Sequence, residues 1–106
     1  MKIAVVTPSR HRAIGYFNKL LKQNCYLPVT HMVNNAQSIR IQMDTDEIIW
    51  INSVEKAYGH TFSIAIIDTF LPDNFVEYEM FNRTINAVKQ RTKNEITYAD
   101  LSSELG

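Results

Sequence analysis

Cysteine is almost absent from this sequence, since Cys25 is the only one in 106 residues. No intrachain disulfide can form, and a cluster of thiolates around a metal ion is excluded. The three histidines, at positions 11, 31 and 60, are far apart along the chain and lack the spacing of metal ligands. A single thiol fits a reducing compartment, so we expect a cytoplasmic protein without a metal site.

Glycine is scarce as well, and the three glycines stand at positions 15, 59 and 106. None of them precedes a lysine, so the sequence lacks the phosphate-binding Walker A loop, G-x-x-x-x-G-K-[ST]. Long apolar runs are also missing. The run Ile64–Ile67 is far too short to span a bilayer, and the four apolar residues after Lys2 are too few for a signal peptide. We expect no ATPase activity, no cofactor and no membrane association.

Acidic residues are missing from the first 43 positions, which hold six basic residues, whereas positions 44–80 hold eight acids and one lysine. The chain is then basic up to position 93 and acidic after it, and the formal net charge is zero. Such segregation predicts a molecule with a basic side and an acidic side. The alternative is that the oppositely charged segments neutralise each other once the chain folds.

The length and the hydrophobic content of 45% suit a single α/β domain over residues 1–106. The hydrophobic patterns predict strands at 2–6, 38–42, 47–52 and 63–67, helices at 10–24, 54–58 and 72–92, and a final strand at 96–98. This order, β-α-β-β-β-α-(β), predicts a small sheet in two or three layers, with a polar connection over 25–36. The first strand and the strand at 63–67 are expected to lie parallel and adjacent between the two long helices.

An apolar stripe on the last long helix is expected to pack against the core. Its members are Phe75, Tyr78, Met80, Phe81, Ile85 and Val88.

Polar residues follow the first strand over 7–12, at the kind of strand end where open α/β sheets bind ligands. Ser9 is a good N-cap for the next helix, and two arginines stand in its first turn. Cations at a helix N-terminus are unfavourable without an anion nearby, so we predict a phosphate or nucleic-acid site here. The candidate residues are Thr7, Ser9, Arg10, Arg12, Lys19 and Arg40. The alternative is that Asp68 or a nearby acid is the partner of these cations.

Asp68 ends the most convincing buried strand, and the pattern has the form of a Walker B strand. In that motif the Asp holds a water on a magnesium ion, and the next residue is a catalytic Glu, which Thr69 replaces here. Asp68 is therefore a candidate vestige of a Walker B site. Two alternatives stay open: an Asp that caps a buried strand, and a metal-dependent enzyme in which Asp73 supplies a second carboxylate.

A family resemblance is carried by residues 38–75, which read SIRIQMDTDEIIWINSVEKAYGHTFSIAIIDTFLPDNF. This segment resembles the ATPase core of the large terminase subunit, the DNA-packaging motor of tailed phages. The first element, KIAVVTPSRHRAIGYFNKLL, is similar to the strand and helix that precede this region in that family. The resemblance implies a partial core of the P-loop NTPase type. It does not imply the activity, because the Walker A loop and the catalytic Glu are both missing.

These features predict a non-catalytic accessory protein of phage type that binds a host or viral protein in the host cytoplasm. The alternative is an accessory protein that binds DNA or RNA through the basic strand, loop and helix at the N-terminus. The sequence leaves the oligomeric state open: a homodimer is one arrangement that would cover a sheet edge or an apolar face exposed by a domain this small.

Overall fold

A computed structural model describes residues 1–23, 29–35, 38–43 and 45–101 of the chain. These residues form one mixed sheet with helices on both faces, so the predicted α/β class is confirmed. The strands are β1 (Lys2–Val6), β2 (Val29–Asn34), β3 (Ile39–Met43), β4 (Glu47–Ile51), β5 (Phe62–Asp68) and β6 (Thr92–Ala99). The helices are α1 (Arg10–Gln23), α2 (Val54–Ala57) and α3 (Phe75–Gln90).

The sheet has the strand order β2-β3-β4-β1-β5-β6. Strands β4, β1, β5 and β6 run parallel, whereas β3 is antiparallel to both of its neighbours. The predicted adjacency of the first strand and the strand at 63–67 is confirmed, with Ile3 opposite Ile64. All the parallel strands therefore end at the same edge of the sheet, where polar residues from distant parts of the chain meet.

Successive residues of β1 project to opposite faces of the sheet. Val5 belongs to a buried cluster with Ala13 and Phe17 of α1. Val6 belongs to a second cluster, which includes Val88 of α3. The molecule therefore has three layers, with α1 on one face and α2 and α3 on the other.

Strand β2 was not predicted, and the expectation of a polar connection over 25–36 is wrong for Val29–Asn34. These residues pair antiparallel with β3, and Met32 lies opposite Ile41. Pairing satisfies backbone N–H and C=O groups along the outer side of β3, which outweighs a weak local hydrophobic pattern. Residues 25–28 and 36 of the predicted connection lie outside the described residues.

The last helix and the last strand also differ from their predicted bounds. Helix α3 begins at Phe75, with Asn74 as its N-cap, and not at position 72. The final strand is longer than predicted and covers Thr92–Ala99. None of the helices among the described residues is both long and apolar enough to cross a membrane.

Candidate functional site

Three polar residues meet at the carboxyl ends of β1, β5 and β6. Thr7 follows β1, Asp68 ends β5, and Asp100 follows β6. Thr7 and Asp68, which are 61 positions apart, are joined by a hydrogen bond of 2.7 Å from Thr7 Oγ1 to Asp68 Oδ2. The structure thus brings together two residues that the sequence singled out at separate strand ends.

Arg12, in the first turn of α1, completes this cluster. Its Nε and Nη2 atoms donate to the two carboxylate oxygens of Asp68 at 2.6 and 2.8 Å. Nη2 also donates to Asp100 Oδ1 at 2.7 Å. The guanidinium lies 4.7 Å from the ring centroid of Phe70, a cation–π distance. The anion that satisfies Arg12 is therefore Asp68, as the alternative interpretation of the loop anticipated.

Asp68 is buried, and its two carboxylate oxygens accept five hydrogen bonds. Besides Thr7 and Arg12, the backbone N–H groups of Phe70 and Leu101 donate to Oδ1 at 3.1 and 3.3 Å. Burial by itself would raise the pKa of this carboxyl, but the hydrogen bonds from Arg12, Thr7 and the two backbone groups outweigh it and hold the pKa below its usual value. These hydrogen bonds stabilise the buried carboxylate and connect the ends of β1, β5 and β6.

The arrangement gives little support to metal chemistry at Asp68. No group of three or more His, Cys, Asp or Glu side chains with the geometry of a metal site occurs among the described residues. Asp73, proposed as a second carboxylate, is exposed in the segment before α3. The Asp68 cluster pairs opposite charges and holds the backbone at the ends of β1, β5 and β6 in place.

The other candidate residues are distributed over the molecule. Ser9 is an N-cap of α1, since its Oγ accepts from the Arg12 backbone N–H at 3.3 Å. Arg10 donates to the carbonyl of Asn35 and to the side chain of Asn34, and so ties α1 to the end of β2. Lys19 lies further along α1, beside a groove over β5 and β6.

Arg40 is separated from the rest of the candidate set by the sheet. Its neighbours Ile39 and Ile41 pack in the cluster with α1, so the alternation along β3 directs Arg40 to the opposite face. There it forms an ion pair of 3.6 Å with Glu47. Arg40 therefore does not share a surface with Arg10, Arg12 and Lys19.

Sequence reasoning missed a cationic cavity beside Arg40. This cavity of about 420 Å³ is lined by Arg40 together with Lys56 and His60, among other residues. The alternation of β3 places Arg40 on this face, but no sequence signal connects it with Lys56 at the end of α2 or with His60 in the loop before β5. The fold alone brings the three groups to one cavity.

Sequence reasoning also misplaced half of the apolar stripe of α3. Phe81 and Val88 are buried and Ile85 packs beside them, as predicted. The first six residues of α3 are all exposed, with Phe75 at 74% and Met80 at 59%. We use the term apolar surface for five exposed large hydrophobic residues, one in the loop before α3 and four in its first two turns, which are Leu71, Phe75, Val76, Tyr78 and Met80.

Comparisons of the chain with models of protein families, with curated proteins and with solved structures found no match. They provide no link to terminases or to P-loop NTPases. The function has to be inferred from the contacts described above.

Proposed function

We propose that this protein is a non-catalytic interaction protein that binds another protein through the apolar surface. The observation that carries the proposal is the exposure of five large hydrophobic side chains within ten residues, between the end of β5 and the second turn of α3. Soluble proteins seldom expose contiguous apolar patches unless the patch contacts something. Aromatic residues and methionine are also the types enriched at the centres of protein interfaces.

Helical geometry supports a continuous patch on α3. Val76 and Met80 are one turn apart, and so are Phe75 and Tyr78, so each pair lies on one side of the helix. Burial begins only at Phe81, which means that this end of α3 extends past the core. A partner can therefore contact α3 from several directions without disturbing the packing of the sheet.

The surrounding charges indicate what kind of surface the partner presents. Three exposed acids, Asp73, Glu77 and Glu79, are interspersed with the apolar residues, and the Arg83 guanidinium pairs with Glu79 at 3.3 Å. An apolar partner surface with a basic rim is complementary to this pattern. A phage origin, with a host or viral protein as partner, is the further expectation that the terminase resemblance adds to this proposal.

The Asp68 cluster supports the non-catalytic part of the proposal. Its carboxylate is already bound by a hydroxyl, a guanidinium and two backbone N–H groups, all from this chain. A group with this many partners contributes to stability, and a substrate or metal would have to displace them.

Affinity capture with quantitative mass spectrometry tests this proposal. For a Phe75→Ser, Met80→Ser double variant, we expect the amount of captured partner protein to fall at least about tenfold. Truncation of a hot-spot residue typically costs about 2 kcal/mol or more of binding free energy. Met32→Ser is the matched control, since Met32 is 45% exposed on the distant edge strand β2. Partners retained by the double variant, or lost equally in the control, would refute the apolar surface as the binding site. Capture of nucleic acid with no protein partner would favour the DNA- or RNA-binding alternative.

A further inference from the structure

The cationic cavity lies over β3 and β4, where Val33, Arg40 and Ile49 face away from α1. Trp50 also borders it, although its side chain packs in the cluster with α1. Its walls come from β2, β3 and β4 and from the segment at 55–60, so four separate stretches of chain define it. Its volume of about 420 Å³ is in the range of sites for small molecules. It is separate from the apolar surface, whose residues do not line it.

Lys56 is the most unusual group in this cavity. Its Nζ atom is shielded from solvent and has no hydrogen-bond acceptor among the described residues. The ammonium lies 5.1 Å from the ring centroid of Trp50, a cation–π contact that supplies no hydrogen bond. Burial lowers the pKa of Lys56, as expected for a cation removed from water. Lys56 therefore brings to the wall of the cavity a cation without a hydrogen-bond acceptor in the described part of the chain.

His60 presents a second donor. Its Nδ1 lies 3.0 Å from Lys2 Nζ, and an ammonium can only donate, so the imidazole accepts at Nδ1 and is neutral. A neutral imidazole then carries its proton on Nε2, which makes that atom a donor. Burial, followed by the charge of Lys2, lowers the pKa of His60 and favours this neutral form, while Glu47 opposes the shift and Arg40 adds a smaller lowering effect.

Arg40 supplies a third donor group on the wall formed by β3. Its contact with Glu47 is 3.6 Å long, and a single contact of this length leaves most of its five N–H groups available for other acceptors. One acid, Glu55, also lines the cavity but is exposed at its rim. Two cations and the neutral His60 therefore line the cavity together with one acid, and the hydroxyl-bearing Ser38 and Tyr58 also line it.

We propose that this cavity binds a small oxyanion, with Lys56 and Arg40 as the charged ligands and His60 as a neutral donor. Both phosphate and carboxylate groups have the required chemistry. A phosphate is expected to bind more tightly, because it carries up to two negative charges and offers more acceptor oxygens to the same donors.

Trp50 makes the proposal directly measurable, because it is the only tryptophan of the chain and lies beneath Lys56. Titration of the full-length protein with inorganic phosphate is expected to shift the Trp50 fluorescence and its indole NMR signal in a saturable way. A parallel titration with acetate at equal ionic strength is expected to show weaker binding, and a sodium chloride titration is expected to show none.

Charge-matched variants assign the binding to this cavity. Lys56→Met is expected to weaken phosphate binding by about tenfold or more, because it removes a charged hydrogen bond. Lys93→Met removes the same charge from exposed β6, at the other edge of the sheet, and is expected to leave the affinity unchanged. Glu55→Gln is expected to tighten binding, since it removes the acid at the rim.

Several outcomes would overturn the proposal. They are the lack of a saturable response to phosphate, equal weakening by Lys93→Met, and unchanged affinity in a folded Lys56→Met variant. If Lys56→Met fails to fold by circular dichroism, Arg40→Met takes its place, with the same expected loss and the same control. None of these measurements depends on a protein partner, so this site and the apolar surface can fail independently.

Discussion

Asp68 shows how a single side chain can hold the ends of three strands. Its side chain is fully buried, and Arg12, which pairs with it, is only 15% exposed. A buried carboxylate is costly unless hydrogen bonds replace its hydration, and here four groups of this chain do so. The cluster is therefore expected to contribute to stability more than an exposed ion pair would.

Replacing Asp68 by asparagine tests this role. We expect the free energy of unfolding to fall by about 3 kcal/mol, because the change leaves the Arg12 charge without its buried partner. Asp100→Asn is the control: that carboxylate is 54% exposed and pairs with the same guanidinium, so its loss is expected to cost less than about 1 kcal/mol. Urea denaturation measures both values. Similar costs for the two variants would contradict the assignment of Asp68 as the central group.

His60 provides a pH-dependent contribution to stability. Its pKa in the folded protein is lowered from 6.5, chiefly by burial and then by Lys2 and Arg40, against Glu47. The unfolded chain therefore binds the proton more readily, so stability present above pH 6.5 is lost as the pH falls through the lowered pKa. We expect His60→Gln to reduce the fall in stability between pH 7 and pH 5.

Lys2→Met checks the cause of this effect, because it removes one of the charges that lower the pKa of His60. Thermal unfolding measured across this pH range should show an intermediate slope for Lys2→Met and the smallest slope for His60→Gln. Slopes equal to that of the wild type in both variants would show that other groups govern the pH dependence.

At the scale of elements, α3 is a helix with two different halves. Its second half packs on the sheet through Phe81, Thr84 and Val88, whereas its first six residues are exposed. The start of the helix is held mainly by its cap: Asn74 Oδ1 accepts from the backbone N–H groups of Val76 and Glu77 at 2.8 and 3.3 Å. The cap therefore presents the apolar surface as ordered helix.

Asn74→Ala is expected to destabilise the first turn of α3 and to cost about 1 kcal/mol, the usual value for loss of an N-cap. Hydrogen exchange should become faster at Val76 and Glu77 than at residues after Phe81. Asp73→Ala is the control, because the observed caps come from Asn74 alone. Equal effects of the two variants would mean that the cap is shared between both positions.

The bounds of α3 illustrate a limit of local sequence patterns. Pro72, Asp73 and Asn74 are all suitable at or near a helix start, so the sequence permits several starts. In the same way, Val29–Asn34 becomes a strand only because β3 offers a partner edge. Helix α1 was predicted within one residue, because Ser9 is a clear cap and its apolar residues repeat with helical spacing.

At the scale of the whole molecule, folding pairs charges that the sequence keeps apart. Arg12, from the basic N-terminal segment, pairs with Asp68 in the acidic segment, and Arg40 pairs with Glu47 across the β3–β4 hairpin. The N-terminal amine lies 3.3 Å from Asp46. These pairs favour mutual neutralisation over a separate basic side.

The affinity for nucleic acid tests whether the basic residues are neutralised within the fold, because paired arginines contribute less to phosphate binding. We expect oligonucleotides to bind more weakly than about 10 µM at 150 mM salt, because Arg10 and Arg12 are engaged within the fold. Fluorescence anisotropy over a series of salt concentrations makes the measurement. Tighter, salt-dependent binding that is lost in an Arg10→Gln, Lys19→Gln variant would restore the DNA- or RNA-binding alternative. Both substitutions leave the Asp68 cluster intact.

The oligomeric state stays a prediction. The edge strand β6 exposes Ile96 and Tyr98, which a second copy would cover, but it also carries Lys93 and Glu95, and such charges oppose edge-to-edge pairing. Light scattering of the purified protein distinguishes a dimer from a monomer.

The sequence by itself determined the α/β class, the Ser9 cap and helical period of α1, and the polar residues at two strand ends. These are local properties, set by residue spacing and backbone propensity. Tertiary structure alone decided that Arg12 satisfies Asp68, that Arg40 faces away from Arg10 and Arg12, and that Arg40, Lys56 and His60 line one cavity. Whether a residue is buried, paired or exposed depends on groups distant in sequence, because sheet order and register set which side chains meet. Scarce cysteine and glycine exclude a thiolate metal cluster and a Walker A loop, but the exposure of one end of α3 and the cavity beside Arg40 follow only from how the sheet and helices pack.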